Sequence, residues 1–303
     1  MKQQILVIVG PTASGKTSLA FEVAALLSRC AVISIDARQA YKELSILTGK
    51  DIPSNLPSGT SFYGADLFDT AEDINIATFV KKVQPIIKEN LINRTPIILV
   101  GGSGLYLKAL TSNMSDLFIP PDPILREKLS YLSTIELQQE LNKINSDLFN
   151  KLNNSDKKNP RRLIRHIEKN LSPKSTLSLE EPQSTFRWIG LSLSKDTQMR
   201  RIENRVKERI AQGAIKEVNS LLSAQGNINH SHLFTSLGFR EIQSFIRGEI
   251  SQDTLLSLWT KSEIQYARRQ IVWFKKQPQI IWYDESKDRS QLAQELVTII
   301  KQK

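Results

Sequence analysis

Gly10-Pro11-Thr12-Ala13-Ser14-Gly15-Lys16-Thr17 fills every fixed position of the phosphate-loop pattern G-x-x-x-x-G-K-[ST]. Ahead of it, Ile5-Leu6-Val7-Ile8-Val9 is a short apolar run of buried-strand type, and behind it Thr17 to Leu27 carries helical periodicity. Strand, glycine loop and helix in that order make a cradle whose backbone N–H groups wrap a di- or triphosphate. The helix N-terminus adds a partial positive charge and Lys16 a full one. The Thr17 hydroxyl is placed to hold a Mg²⁺ that bridges phosphate oxygens. The loop predicts a bound phosphate chain but does not say which group is transferred.

Working outward, Ala31-Val32-Ile33-Ser34-Ile35 is a second strand, ending at Asp36. The polar, Pro/Gly-punctuated segment from Asp36 to Gly59 reads as loop or short helix over the site. Ile76 to Leu91 has helical spacing, with Ala77, Val80, Val83, Ile87 and Leu91 on one face. Pro96-Ile97-Ile98-Leu99-Val100 follows as a third buried strand, leading into Gly101-Gly102-Ser103-Gly104. Repeated βα units with apolar strands imply an α/β fold of P-loop NTPase type, a parallel sheet covered by helices. Ligands of such sheets sit at the carboxyl ends of the strands, where the P-loop, Asp36 and the Gly101 turn all fall. After Leu110 the character changes. Pro120, Pro121 and Pro123 mark a linker, a polar helical stretch runs to about Asn170, and Ser172 to Ser184 is a Ser/Pro-rich return. The expected organisation is therefore a catalytic core of 1–114 with 186–303 and an inserted all-helical domain of 115–185. Strands are expected at Phe186–Leu191 and Gln279–Tyr283, with a terminal helix from about Arg289.

Composition narrows the function classes. The apolar runs are strand length, far short of a membrane span. Met1-Lys2-Gln3-Gln4 leads directly into the first strand, so no signal or transit peptide is expected and the protein reads as cytoplasmic. Cys30 is the single cysteine among 303 residues, which excludes an internal disulfide and a Cys-based zinc site. Lys and Arg outnumber Asp and Glu by 41 to 31, a net charge of +10. That excess suits a polyanionic partner and equally a generally basic solvated surface.

Several side chains could carry chemistry. Asp36, at a strand's carboxyl end, reads as a Mg²⁺ ligand, a general base or a cap for the next turn, and spacing alone leaves the three open. Arg38 and Gln39 follow it; an amide can read an adenine edge through paired contacts. Ser103 stands on a tight turn, but a Ser nucleophile needs a base, and His166, His230 and His232 lie in no triad context. His230-Ser231-His232 lacks a third metal ligand and reads as a solvated loop. Arginines cluster at Arg161, Arg162 and Arg165, again at Arg200, Arg201, Arg205 and Arg209, and again at Arg268 and Arg269. Arg201, Arg205 and Arg209 recur at i, i+4, i+8 on one helical stripe. Arg suits bidentate phosphate contact. Tyr266, Trp273 and Phe274 nearby serve either as stacking surfaces for bases or as core.

These motifs together resemble the bacterial tRNA dimethylallyltransferases, from Gly10 to about Phe274. The matching pieces are the P-loop, Asp36-Ala37-Arg38-Gln39 with Tyr41-Lys42, and Gly101-Gly102-Ser103-Gly104-Leu105-Tyr106. Asn159-Pro-Arg-Arg-Leu-Ile-Arg165, Arg201-Ile-x-x-Arg205-Val, Gly213 with Glu217-Val218, Leu237-Gly-Phe-Arg-Glu241 and Tyr266-Ala-Arg-Arg-Gln270 with Trp273-Phe274 complete the series. The resemblance implies transfer of a dimethylallyl group from its diphosphate to the exocyclic amine of the adenosine 3′ of the anticodon in tRNA. Gly10, Pro11, Thr12, Ala13, Ser14, Gly15, Lys16 and Thr17 would hold the diphosphate, with Mg²⁺ on Thr17. Asp36 matches the family's general base. Ser103, where the family usually has Thr, would position the amine or the leaving group, and Arg201 and Arg205 would neutralise the departing diphosphate. Asp36, Ala37, Arg38, Gln39, Ser103 and Arg126 match segments that contact the tRNA anticodon stem-loop. So do Arg161, Arg162, Leu163, Ile164 and Arg165, and Thr235, Ser236, Leu237, Gly238, Phe239 and Arg240. A monomer is expected.

The chain also departs from the family's pattern. Ala37 replaces a Ser, Phe62-Tyr63-Gly64-Ala65-Asp66 lacks a paired His, Glu263-Ile264 stands for Thr-Arg and Lys195 for a frequent Arg. The zinc-finger extension of eukaryotic relatives is not expected. Three rivals use the same loop: a small-molecule or nucleotide kinase, a nucleotide switch, and a prenyltransferase acting on free adenylate. The switch would need D-x-x-G and [NT]-K-x-D, which the chain lacks. The many basic helices favour tRNA over free adenylate.

Overall fold

The computed structural model describes residues 3–50, 52–69, 72, 74–112, 119–172, 184–224 and 235–301. It divides into two compact units, Met1–Thr111 with Pro182–Lys303, and Ser112–Glu181. The first is built on a six-stranded parallel sheet of order β3-β2-β4-β1-β5-β6. The strands are β1 (Gln3–Val9), β2 (Cys30–Ser34), β3 (Thr60–Tyr63), β4 (Ile97–Gly101), β5 (Ser184–Leu191) and β6 (Ile280–Tyr283). Both faces are buried, which is why the central strands read as unbroken apolar runs instead of alternating. Ile5, Val7, Val9, Ile33, Ile97 and Leu99 pack to one side, against Phe79, Val83 and Ile87 of α3 (Ile76–Ile92) and Leu255, Trp259 and Phe274 of α13 (Gln252–Phe274). Leu6, Ile8, Val32, Ile98 and Val100 face the other way, onto α1 (Lys16–Ala25) and α14 (Arg289–Lys301). Cys30 belongs to this second layer, and burial pushes its thiol up to about 12.

β3 was not expected from the sequence. Thr-Ser-Phe-Tyr is short, lies at the sheet edge and is only partly buried, so it carries neither a long apolar run nor a clean alternation. The face of α3 is also rotated from expectation: Phe79 and Asn90 are buried, while Ala77 and Leu91 are half-buried.

The topology places the site. The connection from β1 to β2 through α1 passes over β4, so the loops after β1, β2 and β4 emerge side by side. Close approach at this edge needs glycine. A Cβ on Gly101 would collide with the Ile35 carbonyl, and one on Gly10 with the Leu191 carbonyl. α10 (Lys195–Gln212) is capped by Ser194, whose side chain accepts from the Thr197 N–H, and stops at Gly213 in the left-handed region. Ser251 caps α13 in the same way.

α10 and α13 are joined by a buried ion pair. Arg209 Nη1 donates to Glu263 Oε1 at 2.8 Å, both side chains about 5% exposed, and Nη2 reaches the Thr48 carbonyl. Removing the carboxylate leaves a buried guanidinium short of its counter-charge, so Glu263→Ala is expected to cost about 3–5 kcal/mol. Urea unfolding monitored by far-UV circular dichroism checks this; a midpoint equal to wild type would show the pair contributes nothing.

The second unit comprises α5 (Pro123–Ser130), α6 (Thr134–Ile144), α7 (Ser146–Lys151), α8 (Asn154–Lys157) and α9 (Pro160–Leu171). Leu129, Leu137, Leu141, Leu163 and Ile167 form its core. Pro at the first position of α5 and α9, with Asp122 and Asn159 as caps, starts each helix. The expected return linker over 172–184 lies, apart from its two ends, outside the described residues.

Candidate active site

The P-loop joins β1 to α1. Ala13 and Gly15 take positive φ, +65° and +81°, which turns successive backbone N–H groups inward and opens α1 at Lys16. The Ser14 hydroxyl is buried with no hydrogen-bond partner among the described residues. An orphaned buried hydroxyl inside such a cradle fits a ligand rich in acceptor oxygens. Lys16 Nζ donates to the Pro11 carbonyl at 2.7 Å. Burial and then the Arg205 charge push the Lys16 ammonium down to about 7, against the pull of Asp36. Lys16, Arg205 and Asp36 therefore share one electrostatic neighbourhood.

Three side chains from distant segments hold the loop. Gln270 Oε1 accepts from the Thr12 N–H at 2.8 Å, and Gln198 Nε2 donates to the Thr12 carbonyl at 3.4 Å. Arg289 Nη2 donates to the Gly15 carbonyl at 2.7 Å while its Nε pairs with Glu22 at 2.8 Å. In the sequence, Gln270 stands out only as part of a motif. Gln198 and Arg289 gave no signal at all.

Asp36 lies just past β2. Its Oδ1 accepts from the Arg38 N–H at 2.9 Å, an Asx turn that fixes the carboxylate. Arg38 Nη2 donates to the Thr235 hydroxyl at 2.6 Å, tying this loop to the 235–240 segment. Gln39 turns inward, accepting from Ser34 Oγ and donating to the Gly49 carbonyl, so its amide is engaged in the fold. Ser103 precedes α4 (Gly104–Thr111), where its carbonyl accepts from the N–H groups of Tyr106 and Leu107. The Tyr266 hydroxyl shares a hydrogen bond with Ser103. Burial first, then Asp36, push that phenol up to about 12, against the Ser103 bond and Arg38. The Tyr106 phenol is likewise raised by burial to about 12, with Arg38 and Asp36 acting on it. Asp36, Arg38, Ser103, Tyr106 and Tyr266 thus line one region beside the P-loop. Tyr106 stands in the sequence only as part of a motif and Tyr266 as either a stacking surface or core, because nothing in their spacing distinguishes them from core aromatics.

The expected arginine stripe separates into three roles. Arg205 Nη2 donates to the Gly49 carbonyl at 2.9 Å and acts on Lys16. Arg209 belongs to the buried pair with Glu263. Arg201 is exposed, and its charge acts on Glu285. Arg268 and Arg269 are exposed, Arg269 lying 5.6 Å from the Tyr266 ring centroid. Phe274 is core, and Trp273 packs against it edge-on at 5.1 Å.

Four expected RNA contacts are buried. Phe239 and Leu163 are fully buried, in the main core and the helical unit's core respectively, so their side chains pack instead of meeting a ligand. Ser236 and Gly238 are also buried; a Cβ on Gly238, at φ +87°, would strike the Trp259 indole. Thr235 and Arg240 are exposed and Leu237 half-buried, and Ala37 packs partly against the core.

In the helical unit, Arg126 grips Glu168 with two bonds, Nε at 2.6 Å and Nη2 at 2.9 Å. Arg165 adds a third at 3.1 Å, and the Asp122 N–H a fourth at 3.0 Å. Burial pushes the Glu168 carboxyl up, but Arg126, the Asp122 N–H and Arg165 outweigh it and hold it below the usual range. Arg126 and Arg165 therefore organise this unit. Arg162 pairs with Asp156, Ile164 packs partly on the core, and Arg161 is exposed. His166 lies on α9; burial and then Lys169 lower its pKa. His230 and His232 lie outside the described residues. Among the described residues no three His, Cys, Asp or Glu side chains gather to hold a metal, and no helix is long and apolar enough to cross a membrane.

The family model for IPP transferases matches residues 39–277. The chain belongs to that family. A tRNA dimethylallyltransferase of Crocosphaera subtropica is 33% identical over 94% of this chain and 93% of its own length. One of Carboxydothermus hydrogenoformans is 30% identical over 98% and 97%. Among solved structures, the full-length tRNA isopentenylpyrophosphate transferase of Bacillus halodurans is 27% identical, covers 99% of this chain and 96% of its own, and superposes with a TM-score of 0.71. A eukaryotic dimethylallyltransferase caught acting on tRNA shares the fold at a TM-score of 0.79, with 20% identity over 98% of this chain and 78% of its own. In the IPP transferase frame, the P-loop and the Asp36 turn both emerge at the carboxyl edge of a single sheet.

Proposed function

We infer that this IPP transferase is a tRNA dimethylallyltransferase: it moves a dimethylallyl group from dimethylallyl diphosphate to an adenosine exocyclic amine in tRNA. The observation that carries the reading is a carboxylate, Asp36, set in the same electrostatic neighbourhood as Lys16 of a P-loop. A kinase-type loop with a proton acceptor beside it suits displacement of diphosphate by an amine. In this reading the amine nitrogen bonds to C1 of the allyl chain, the C1–O bond breaks, diphosphate leaves, and the amine proton passes to Asp36. Negative charge grows on the leaving group. The N–H groups of the loop, Lys16 and Arg205 are arranged to meet it, and Arg201 would act from further out. Ser103, bonded to Tyr266, would orient the acceptor.

We propose Mg²⁺ as the cofactor. A threonine hydroxyl and phosphate oxygens are hard donors that suit this ion, and the orphaned Ser14 hydroxyl fits an oxygen-rich ligand in the same cradle. When bound it would neutralise charge on the diphosphate, held on the protein side by Thr17. The acceptor proposed is the adenosine 3′ of the anticodon, presented by the anticodon stem-loop and turned out of its stack. Arg38, Arg161 and the exposed Thr235 and Arg240 would contact the RNA, while the Gln39 amide stays engaged with Ser34 and Gly49. A monomer acting in the cytoplasm, where tRNA is, completes the reading.

Incubation with dimethylallyl diphosphate, Mg²⁺ and an unmodified anticodon stem-loop, followed by mass measurement of the RNA, tests it. A dimethylallyl mass gain on RNA is expected. Gain on free AMP alone would assign the protein to adenylate prenylation. No gain, with phosphate moved from ATP to a small acceptor, would make it a kinase.

A further inference from the structure

Gln270 is buried on α13 and takes no part in the chemistry described above, yet it touches both halves of the site. Its Oε1 accepts from the Thr12 N–H at 2.8 Å and from the Thr12 hydroxyl at 3.3 Å. Its Nε2 donates to the Gly102 carbonyl at 3.1 Å. One amide thus bridges the loop after β1 and the turn after β4, at positions 258 and 168 residues away in the chain. The fit is tight: a Cβ on Gly102 would run into the Gln270 amide. The bridge also commits the Thr12 N–H to a protein partner, which leaves phosphate binding to N–H groups later in the loop.

Glutamine suits this task because its amide presents a donor and an acceptor together at the end of a long uncharged side chain. A carboxylate would accept from Thr12 but repel the Gly102 carbonyl and bring negative charge to a phosphate cradle. An apolar side chain would deprive the half-buried Thr12 N–H and the buried Gly102 carbonyl of this partner.

We propose that Gln270 is a positioning residue for transfer: it fixes the separation between the diphosphate cradle and the Ser103 turn that faces the acceptor. The proposal rests on the dimethylallyl-transfer reading. Reacting atoms must be held about 3–3.5 Å apart, and a misplacement of about 1 Å costs roughly 100-fold in rate. A residue that sets the gap between two substrate loops acts on kcat while leaving each substrate able to bind.

The test measures prenylation of the stem-loop at saturating donor and RNA, with inorganic diphosphate and Mg²⁺ titrated calorimetrically into the free protein. Gln270→Met is expected to lower kcat about 30- to 100-fold while the diphosphate Kd stays within about threefold. In a Ser103→Ala background the same change is expected to cost much less, since both would act through one turn. Gln270→Asn keeps the amide but shortens it by one methylene; it is expected to fold and to lose kcat by an intermediate factor. Wild-type kcat in the Met variant overturns the proposal. So does wild-type kcat in the Asn variant if the Met variant fails to fold. A diphosphate Kd that rises in parallel with the kcat loss, or strict additivity with Ser103→Ala, would make Gln270 part of the donor site only. Wild-type protein that prenylates no RNA is a separate outcome: it removes the functional reading, and this inference with it.

Discussion

Asp36→Asn is expected to lower kcat about 100- to 10,000-fold, the range over which a positioned general base contributes. The change is chosen because it separates base from cap. Asparagine Oδ1 can still accept from the Arg38 N–H, and Asn caps turns as well as Asp does, so the loop after β2 should keep its shape. What is lost is the ability to take a proton from the acceptor amine. Single-turnover prenylation of a stem-loop at saturating donor isolates this step, and the RNA affinity measured alongside should change little. A kcat within about threefold of wild type would assign Asp36 to the turn alone and move the base elsewhere.

The second large effect belongs to Lys16. Replacing it with methionine removes a charge-assisted contact to the diphosphate, worth about 1.5–3 kcal/mol, so donor binding is expected to weaken by roughly 10- to 150-fold. A pH dependence goes with it. In the free protein burial and Arg205 bring the Lys16 ammonium down to about 7. Bound diphosphate favours the charged form and raises that value, so above about pH 7 binding takes up a proton. Donor affinity should therefore fall as pH rises from about 7 towards the value in the complex, and level off below it. Lys16→Arg, whose guanidinium stays charged, is expected to flatten the slope. Calorimetric titration with inorganic diphosphate and Mg²⁺ at several pH values checks this. A slope unchanged in the Arg variant would place the titrating group elsewhere. The same depressed lysine bears on the ligand-free fold. Between about pH 7 and the ordinary lysine value the unfolded chain binds more protons at this site, so the penalty that burying this lysine places on folding eases as pH rises.

Much of this molecule could be read before it was seen. The run Ile5–Val9, the glycine loop and the helix behind it are contiguous, and each is set by local rules: apolar run length, positive-φ positions and helical period. The strand at 97–101 announced itself by the same apolar density, because a parallel sheet with both faces covered needs no polar alternation, and strands at 186–191 and 279–283 were legible too, though their positions are less uniformly buried. β3 escaped, since a four-residue edge strand is stabilised by its pairing with β2 and not by its own composition.

The division of labour among like residues had to wait for the tertiary structure. Arg201, Arg205 and Arg209 are indistinguishable on a helical stripe, yet the charge of one acts on Glu285, one joins the Lys16 neighbourhood and one pairs with a buried Glu263 54 residues away. Phe239 and Leu163 sit inside motifs that pointed to RNA and prove to be core. Gln270 gains its place only because α13 brings its amide to the loops after β1 and β4. The sequence by itself determined the phosphate cradle, the parallel sheet and the family, since these depend on residues near one another in the chain. Which side chains tie the loops together depends on partners far apart in sequence. Only the packing of helices over the sheet edge decided them.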